Sequence, residues 1–125
     1  MARSKKIIYW IVTVWLALGM LSAGIVQLIP LDAEVEMMNH LGYPTYLLII
    51  LGVSKLLGIA AILVPGFPLL KEWAYAGFSF TMAGAIISHM IAGDSFGDLF
   101  PPLLLLILTV ASWYFRPENR KVRAR

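Results

Sequence analysis

The sequence predicts an all-α membrane protein: an antiparallel four-transmembrane-helix bundle with a short amphipathic helix between spans one and two. Hydrophobic residues make up 60% of its 125 residues and charged residues 14%, whereas soluble domains carry about 25% charged residues. The apolar residues stand in four long blocks, and Lys and Arg flank these blocks at alternate connections. This length predicts a single membrane domain over 1–125.

The apolar blocks have the length of membrane-spanning helices. The predicted spans are 7–29, 46–64, 73–92 and 99–115. The first holds no charge and would be about 34 Å long as a helix, which is too long for a signal-peptide core. We expect Pro30 to end it and "PGFP" to follow the second. Pro101 and Pro102 fall in the first turn of the fourth span, where a missing amide costs little.

The charge distribution predicts an orientation. Lys and Arg precede span one, separate spans two and three, and follow span four: Arg3, Lys5, Lys6, Lys71, Arg116, Arg120, Lys121, Arg123 and Arg125. The connections 30–45 and 93–98 hold no Lys or Arg but several acidic residues. The positive-inside rule therefore places both termini in the cytoplasm. We expect a multi-pass protein of a bacterial cell inner membrane.

The connection "LDAEVEMMNHLGYP" predicts a short helix on the outer side. Asp32 is a suitable N-cap, Leu31, Val35 and Met38 share one face, and Gly42 can end the helix. Such a helix would lie as a lid over the bundle, although a solvated loop helix without a role fits the pattern equally well.

Small residues predict which helix faces point inward, because membrane helices pack through them. The predicted packing positions are Gly24, Gly52, Gly58, Gly77 and Gly84. Gln27 continues the stripe of span one, Lys55 lies midway between two of these glycines, and His89 stands beside the stripe of span three. All three polar side chains are therefore expected to face the protein interior.

Lys55 would lie about 15 Å below the outer surface, and no Asp or Glu stands inside any span to pair with it. An ionisable residue within a membrane is a candidate functional residue by default. The competing interpretation is a structural lysine that donates to carbonyls and hydroxyls between close-packed helices. For His89 a ligand contact and an interfacial hydrogen bond are equally favoured, and for Gln27 a packing role is favoured.

Several chemistries are disfavoured by the sequence. The chain has no Cys, which excludes disulfides and thiolate-held clusters. Two His without a carboxylate pair fall short of a metal-ligand set, and a b-type haem between His40 and His89 is disfavoured. The cationic residues flank spans, so nucleic acid is not an expected partner. What remains is an outer-facing polar pocket above an apolar interior, which suits a quinone or lipid.

One long stretch resembles a known family: "HLGYPTYLLIILGVSKLLGIAAILVPGFPLLKEWAYAGFSFTMAGAIISHMIAGD", followed by "PP" at the last span. It is similar to the DoxX-like family of small four-helix membrane proteins, most distinctively around Lys55 and in "ISH" around His89. The resemblance implies a compact four-helix bundle. It also implies kinship with a subunit associated with quinol-oxidase and thiosulfate–quinone oxidoreductase activity, and with membrane complexes of redox stress. A distantly similar animal protein is an assembly chaperone, and the family offers no agreed catalytic residues.

Two functional hypotheses follow. In the first, the chain is a redox-linked membrane subunit that binds a quinone or lipid-like amphiphile through Lys55, His89 and Gln27. In the second, it is a non-enzymatic interaction or assembly protein whose Lys55 pairs with an acid on a partner span, either another membrane protein or a second copy. An enzyme acting alone is the least favoured, and no catalytic residue is assigned.

Overall fold

The computed structural model describes residues 2–29 and 31–121. These residues form five α-helices and no strand. The helices are α1 (Ala2–Leu28), α2 (Asp32–Leu41), α3 (Leu47–Leu63), α4 (Pro68–Ile91) and α5 (Phe96–Tyr114). A 3₁₀ turn over Glu118–Arg120 follows α5. The predicted all-α class is confirmed.

Of the described helices, α1, α4 and α5 are long and apolar enough to cross a membrane. The apolar helix α3 has 17 residues, which corresponds to about 25 Å against a hydrocarbon core of about 30 Å. Large apolar side chains stand exposed along these helices, among them Trp15, Leu57 and Phe80. Such surfaces are expected of helices solvated by lipid, and the chain is a membrane protein.

The long helices pack as neighbours, with α1 and α4 each lying against both α3 and α5. The core between them contains Leu16, Met20, Ile62, Tyr75, Phe78 and Met82. Two glycines of α3 allow close approach. A Cβ added at Gly52 would stand 2.7 Å from Cγ of Leu28 and 3.0 Å from the carbonyl oxygen of Gly24, and one added at Gly58 would stand 2.5 Å from the ring of Phe78. The side chains of α1 and α4 therefore occupy the space that these residues leave free.

The prediction that Gly77 and Gly84 lie at helix contacts is wrong. Both are exposed, and a Cβ added at either would meet no atom within 4 Å. The buried face of α4 instead carries Tyr75, Phe78 and Met82, which repeat at nearly the same helical spacing. Because large side chains can fill the core at that spacing, the small residues fall on a neighbouring face.

The helix ends differ from the sequence prediction in detail. Asp32 is the first residue of α2, and the N-cap is Leu31, which makes no side-chain capping bond. Gly42 ends α2 as predicted, with a φ of 85° that favours glycine. Helix α4 begins at Pro68, before the predicted residue 73, because proline suits a first helical turn. Helix α5 begins at Phe96, before the predicted residue 99, so the prediction that Pro101 and Pro102 lie in its first turn is wrong: both lie inside the helix. Pro30, Arg123 and Arg125, on which predictions also rested, lie outside the described residues.

We name the two ends of the molecule by what they carry. The α2 end holds α2, the start of α3 and the loop from α4 to α5. The loop end holds the α3–α4 loop and the 3₁₀ turn, whose Arg120 bonds to the last residues of α3. The acidic residues of the two connections therefore lie at the α2 end, and Lys71, Arg116 and Arg120 lie at the loop end.

Candidate functional site

A cavity of about 410 Å³ extends inward from the α2 end and is lined by residues from every α-helix of the described chain. We call it the lysine cavity. Its polar side chains include Gln27, Glu34, Tyr43, Lys55, Ser88 and His89. The three residues that the sequence proposed as ligand contacts, from three different helices, thus line a single cavity. The size falls within the range of about 300–1,000 Å³ that is typical of small-molecule sites.

Lys55 lies at the deep side of this cavity, at the middle residue of α3. The residue is 3% exposed, and its Nζ donates to Oε1 of Gln27 over 2.8 Å. An ammonium group carries three donors, and this is the one side-chain bond that Nζ makes within the described chain. The mid-helix carbonyls around it are engaged in the helix's own ladder. Lys55 therefore has donor capacity left for a molecule in the cavity.

The lining around Lys55 is mixed in polarity. Leu47, Leu51, Phe80 and Met82 give it apolar walls. Glu34, from α2, contributes an acidic group to the same cavity as the lysine. A site with apolar walls and a few convergent polar groups suits a ligand with a polar head and an apolar body.

His89 and His40 meet at one carboxylate, that of Asp94 in the loop after α4. His89 Nδ1 lies 2.6 Å from Asp94 Oδ2, and His40 Nε2 lies 2.6 Å from Asp94 Oδ1. Hydrogen bonds from His89 and His40 hold the pKa of Asp94 below its usual value. Because the bond to Asp94 uses Nδ1 of His89, the other ring nitrogen, Nε2, remains available to the cavity that His89 lines.

Helix α2 covers the lysine cavity with Glu34, Met37, Met38 and Leu41. Its polar attachments run to the end of α4: His40 bonds to Asp94, and Tyr43, just after α2, bonds to Ser88. Met38 is its one buried residue. A short helix that is attached at one end and buries little apolar surface is expected to open at low cost.

A second polar region lies at the loop end, at the last residues of α3. Lys71 Nζ donates to the carbonyl oxygens of Ala61, over 2.9 Å, and of Val64. Arg120 donates to those of Ile62, over 2.7 Å, and of Leu63, over 3.3 Å. These carbonyls lack partners within their own helix and carry the negative end of its dipole. The two cations therefore cap α3.

The sequence prediction missed this double cap. The sequence identifies Lys71 and Arg120 only as charges flanking the spans, and no pattern of spacing links them to the end of α3. A lysine within the first turns of α4, soon after the apolar block ends, was the available signal for one of the caps. Asp94 was likewise counted only as a loop charge, because its contact with His40 joins residues 54 positions apart.

Hydroxyl groups connect the helices between these two regions. Ser112 Oγ lies 2.6 Å from Thr13 Oγ1 and 2.7 Å from the hydroxyl of Tyr75, and all three residues are buried. The group joins α1, α4 and α5 through each other's donors and acceptors. It stabilises the packing around the core, and none of its three residues lines the lysine cavity.

Among the described residues, no group of three or more His, Asp or Glu side chains is arranged to hold a metal ion. In the cluster of His40, His89 and Asp94, each carboxylate oxygen faces a different imidazole.

Comparison with known proteins gives one family. The model of the DoxX-like family matches residues 11–112, a range that includes the whole of α2, α3 and α4 and both lysines described above. No curated protein and no solved structure matches the chain.

Proposed function

The chain belongs to the DoxX-like family, and from that premise we propose that it is a small membrane subunit that binds a quinone or lipid-like amphiphile in the lysine cavity and is linked to a redox complex. The observation that carries this proposal is the state of Lys55. Its amine is buried and has one side-chain partner, Gln27, on the wall of a cavity large enough for a ligand head. Buried donors without a full set of acceptors favour a ligand that supplies them.

The chemistry of the lining supports an amphiphile. A quinone carbonyl or a lipid ester or phosphate oxygen would accept from Lys55. His89, through Nε2, would bind a second oxygen of the ligand. Gln27 positions the lysine through the 2.8 Å bond. The apolar walls at Leu51 and Phe80 would enclose the ring or the upper chain.

The proposal includes a topology. The four long helices, α3 included, span the membrane as an antiparallel bundle, with both termini in the cytoplasm of a bacterial cell and α2 on the outer surface. Lys71, Arg116 and Arg120 lie at the loop end, whereas the connections at the α2 end hold no Lys or Arg, and this distribution supports the orientation. Reporter fusions at residues 36, 69 and 96 should read outside, inside and outside. A cytoplasmic signal at 36 contradicts the topology.

The test of ligand binding replaces Lys55 with Met, which keeps the apolar stem and removes the amine. Co-purified quinone and lipid are extracted from protein prepared in mild detergent and quantified by mass spectrometry. The matched control is Val53→Met, an exposed site on the same helix. We expect Lys55→Met to fold, to lose the ligand that the wild type carries, and to leave the control unaffected. Gln27→Leu is expected to give a smaller loss, because it removes the positioning bond and keeps the amine.

The alternative hypothesis gives a different outcome. If Lys55 pairs with an acid on a partner span, Lys55→Met retains its lipid and quinone content and instead loses a co-purified membrane protein or its own oligomer. The position of Lys55 on an internal cavity, already bonded to Gln27, favours a ligand over a partner span. If Lys55→Met fails to fold while Val53→Met folds, the lysine is a structural donor and both hypotheses fail.

A further inference from the structure

A second cavity adjoins the lysine cavity along the seam between α3 and α4. It measures about 370 Å³, and we call it the seam groove. Leu51, Lys55 and Thr81 line both cavities, so the two share a wall beside the buried amine. From there the groove runs toward the loop end as far as Ala61 and Trp73. Along α3 that is a distance of about 9 Å from Lys55.

The seam groove has the lining that an apolar chain requires. Leu57, Leu70 and Phe78 line it, and Gly77 adds width. At Gly77 an added Cβ would meet no atom within 4 Å, so the absent side chain leaves real space. Thr81 and Ser54 are its hydroxyl-bearing residues, and Lys55 is its one charged residue.

We propose that the seam groove holds the apolar tail of the same amphiphile whose polar head occupies the lysine cavity. This inference rests on the proposed function. It adds a direction: the head lies at Lys55, and the tail leaves between α3 and α4 toward the loop end. The wall that both cavities share, at Leu51, Lys55 and Thr81, favours one amphiphile that fills both cavities over a separate lipid chain in the groove. In such an amphiphile, the point where the polar head joins the apolar tail would lie beside Lys55.

The experiment uses photo-crosslinking on the full chain in nanodiscs. One probe is a ubiquinone analogue and the other a phosphatidylglycerol, each with a diazirine at the end of a ten-carbon tail. The competitors carry the same heads on short tails, ubiquinone-1 and dihexanoyl phosphatidylglycerol. For the probe with the correct head, we expect labelled peptides at residues 57–61 and 70–77. We also expect its competitor to lower that labelling about tenfold, while the other probe labels weakly or without competition.

A pair of variants tests the path of the tail. Gly77→Leu places a large side chain at a groove position where a Cβ meets no atom within 4 Å, and Ala76→Leu adds the same side chain at an exposed neighbouring position outside both cavities. We expect Gly77→Leu to weaken binding of the long-tailed probe about tenfold relative to Ala76→Leu, while the short-tailed competitor binds equally to both.

The outcomes separate this inference from the proposed function. If a short-tailed competitor binds but the label falls elsewhere, or Gly77→Leu binds long tails normally, the tail path is overturned and the head site stands. If groove labelling resists both competitors, the groove holds independent bilayer chains, which also overturns the tail path. If neither competitor binds and neither probe labels, both proposals fail.

Discussion

Lys55 and Lys71 are two buried lysines on neighbouring helices that differ in how their donors are used. They are 3% and 1% exposed, and among the described residues neither forms an ion pair. Lys71 donates to two carbonyls at the end of α3. Lys55, in the middle of the same helix, donates to a single amide oxygen and borders a cavity. Burial of a lysine therefore does not by itself indicate a binding site; the number of protein acceptors that its amine contacts must also be known.

The physical reason lies in the backbone of α3. A helix end presents carbonyls without intrahelical partners, so a cation placed there has acceptors and a favourable dipole. A helix middle presents none, and a lysine there depends on side chains or on a bound molecule. The amine of Lys71, which reaches over from α4, thus lies at the most favourable position along α3 for a cation, and that of Lys55 lies at the least favourable.

The largest expected effect is the loss of the Lys71 cap. Lys71→Met leaves the Ala61 and Val64 carbonyls without this donor, and we expect the free energy of unfolding to fall by about 3 kcal/mol. Lys55→Met is expected to leave it unchanged or higher, because a charge is removed from the membrane interior. Unfolding by SDS in mixed micelles, followed by tryptophan fluorescence, measures both. Equal losses would show that the two lysines are structurally equivalent.

Arg120 provides the next test of the cap, because it bonds to the end of α3 from a segment that follows α5. Arg120→Met removes the bonds to Ile62 and Leu63 and the contact of its guanidinium with the ring of Trp10, 4.8 Å from the ring centroid. We expect a loss of about 2 kcal/mol in the same SDS measurement. The neighbouring Lys121→Met, which breaks only a surface pair with Glu118, should cost under about 0.5 kcal/mol.

Two glycines test whether the α3–α4 seam is closed on its core side and open at the groove. Gly58→Ala places a Cβ against the ring of Phe78 and is expected to destabilise the protein by about 1 kcal/mol, after the gain in helix propensity. Gly77→Ala meets no atom and should stabilise it by up to about 1 kcal/mol. Changes of opposite sign in the free energy of unfolding, relative to the unsubstituted protein, would confirm the asymmetry, and equal changes would refute it.

The smallest effect concerns the attachment of α2 above Lys55. Asp94→Asn removes the charge that accepts from His89 and His40, and we expect hydrogen–deuterium exchange of α2 to increase several-fold without a change in global stability. Glu36→Gln, which removes a charge on α2 itself, is the control. If α2 exchanges equally slowly in Asp94→Asn, the carboxylate does not hold it.

The pH dependence of that attachment has a defined sign. The pKa of Asp94 is lower in the folded protein than its usual 3.8, so its contribution is fully present above that value and is lost as pH falls through the lowered pKa. The protection of α2, corrected for intrinsic exchange, should therefore hold from neutral pH to about pH 4 and fall only below it.

Sequence predicted the helices and the inward positions of Lys55, Gln27 and His89 because hydropathy and helical spacing are local properties. It failed for Gly77 and Gly84, since small residues and large apolar residues followed similar spacings on α4 and spacing alone does not say which face packs. It missed the cap by Arg120 and the pairing of His40 with Asp94. Those contacts join residues 58 and 54 positions apart, and no local pattern encodes them.

The double cap also sets an order of events during synthesis. Lys71 follows Val64 by 7 residues, so its cap can form as soon as α4 begins to fold. Arg120 follows Leu63 by 57 residues, and both α4 and α5 must leave the ribosome before it reaches the end of α3. A nascent chain halted after α5 would hold only the Lys71 half of this cap, and docking of the segment at Arg120 would complete the cap.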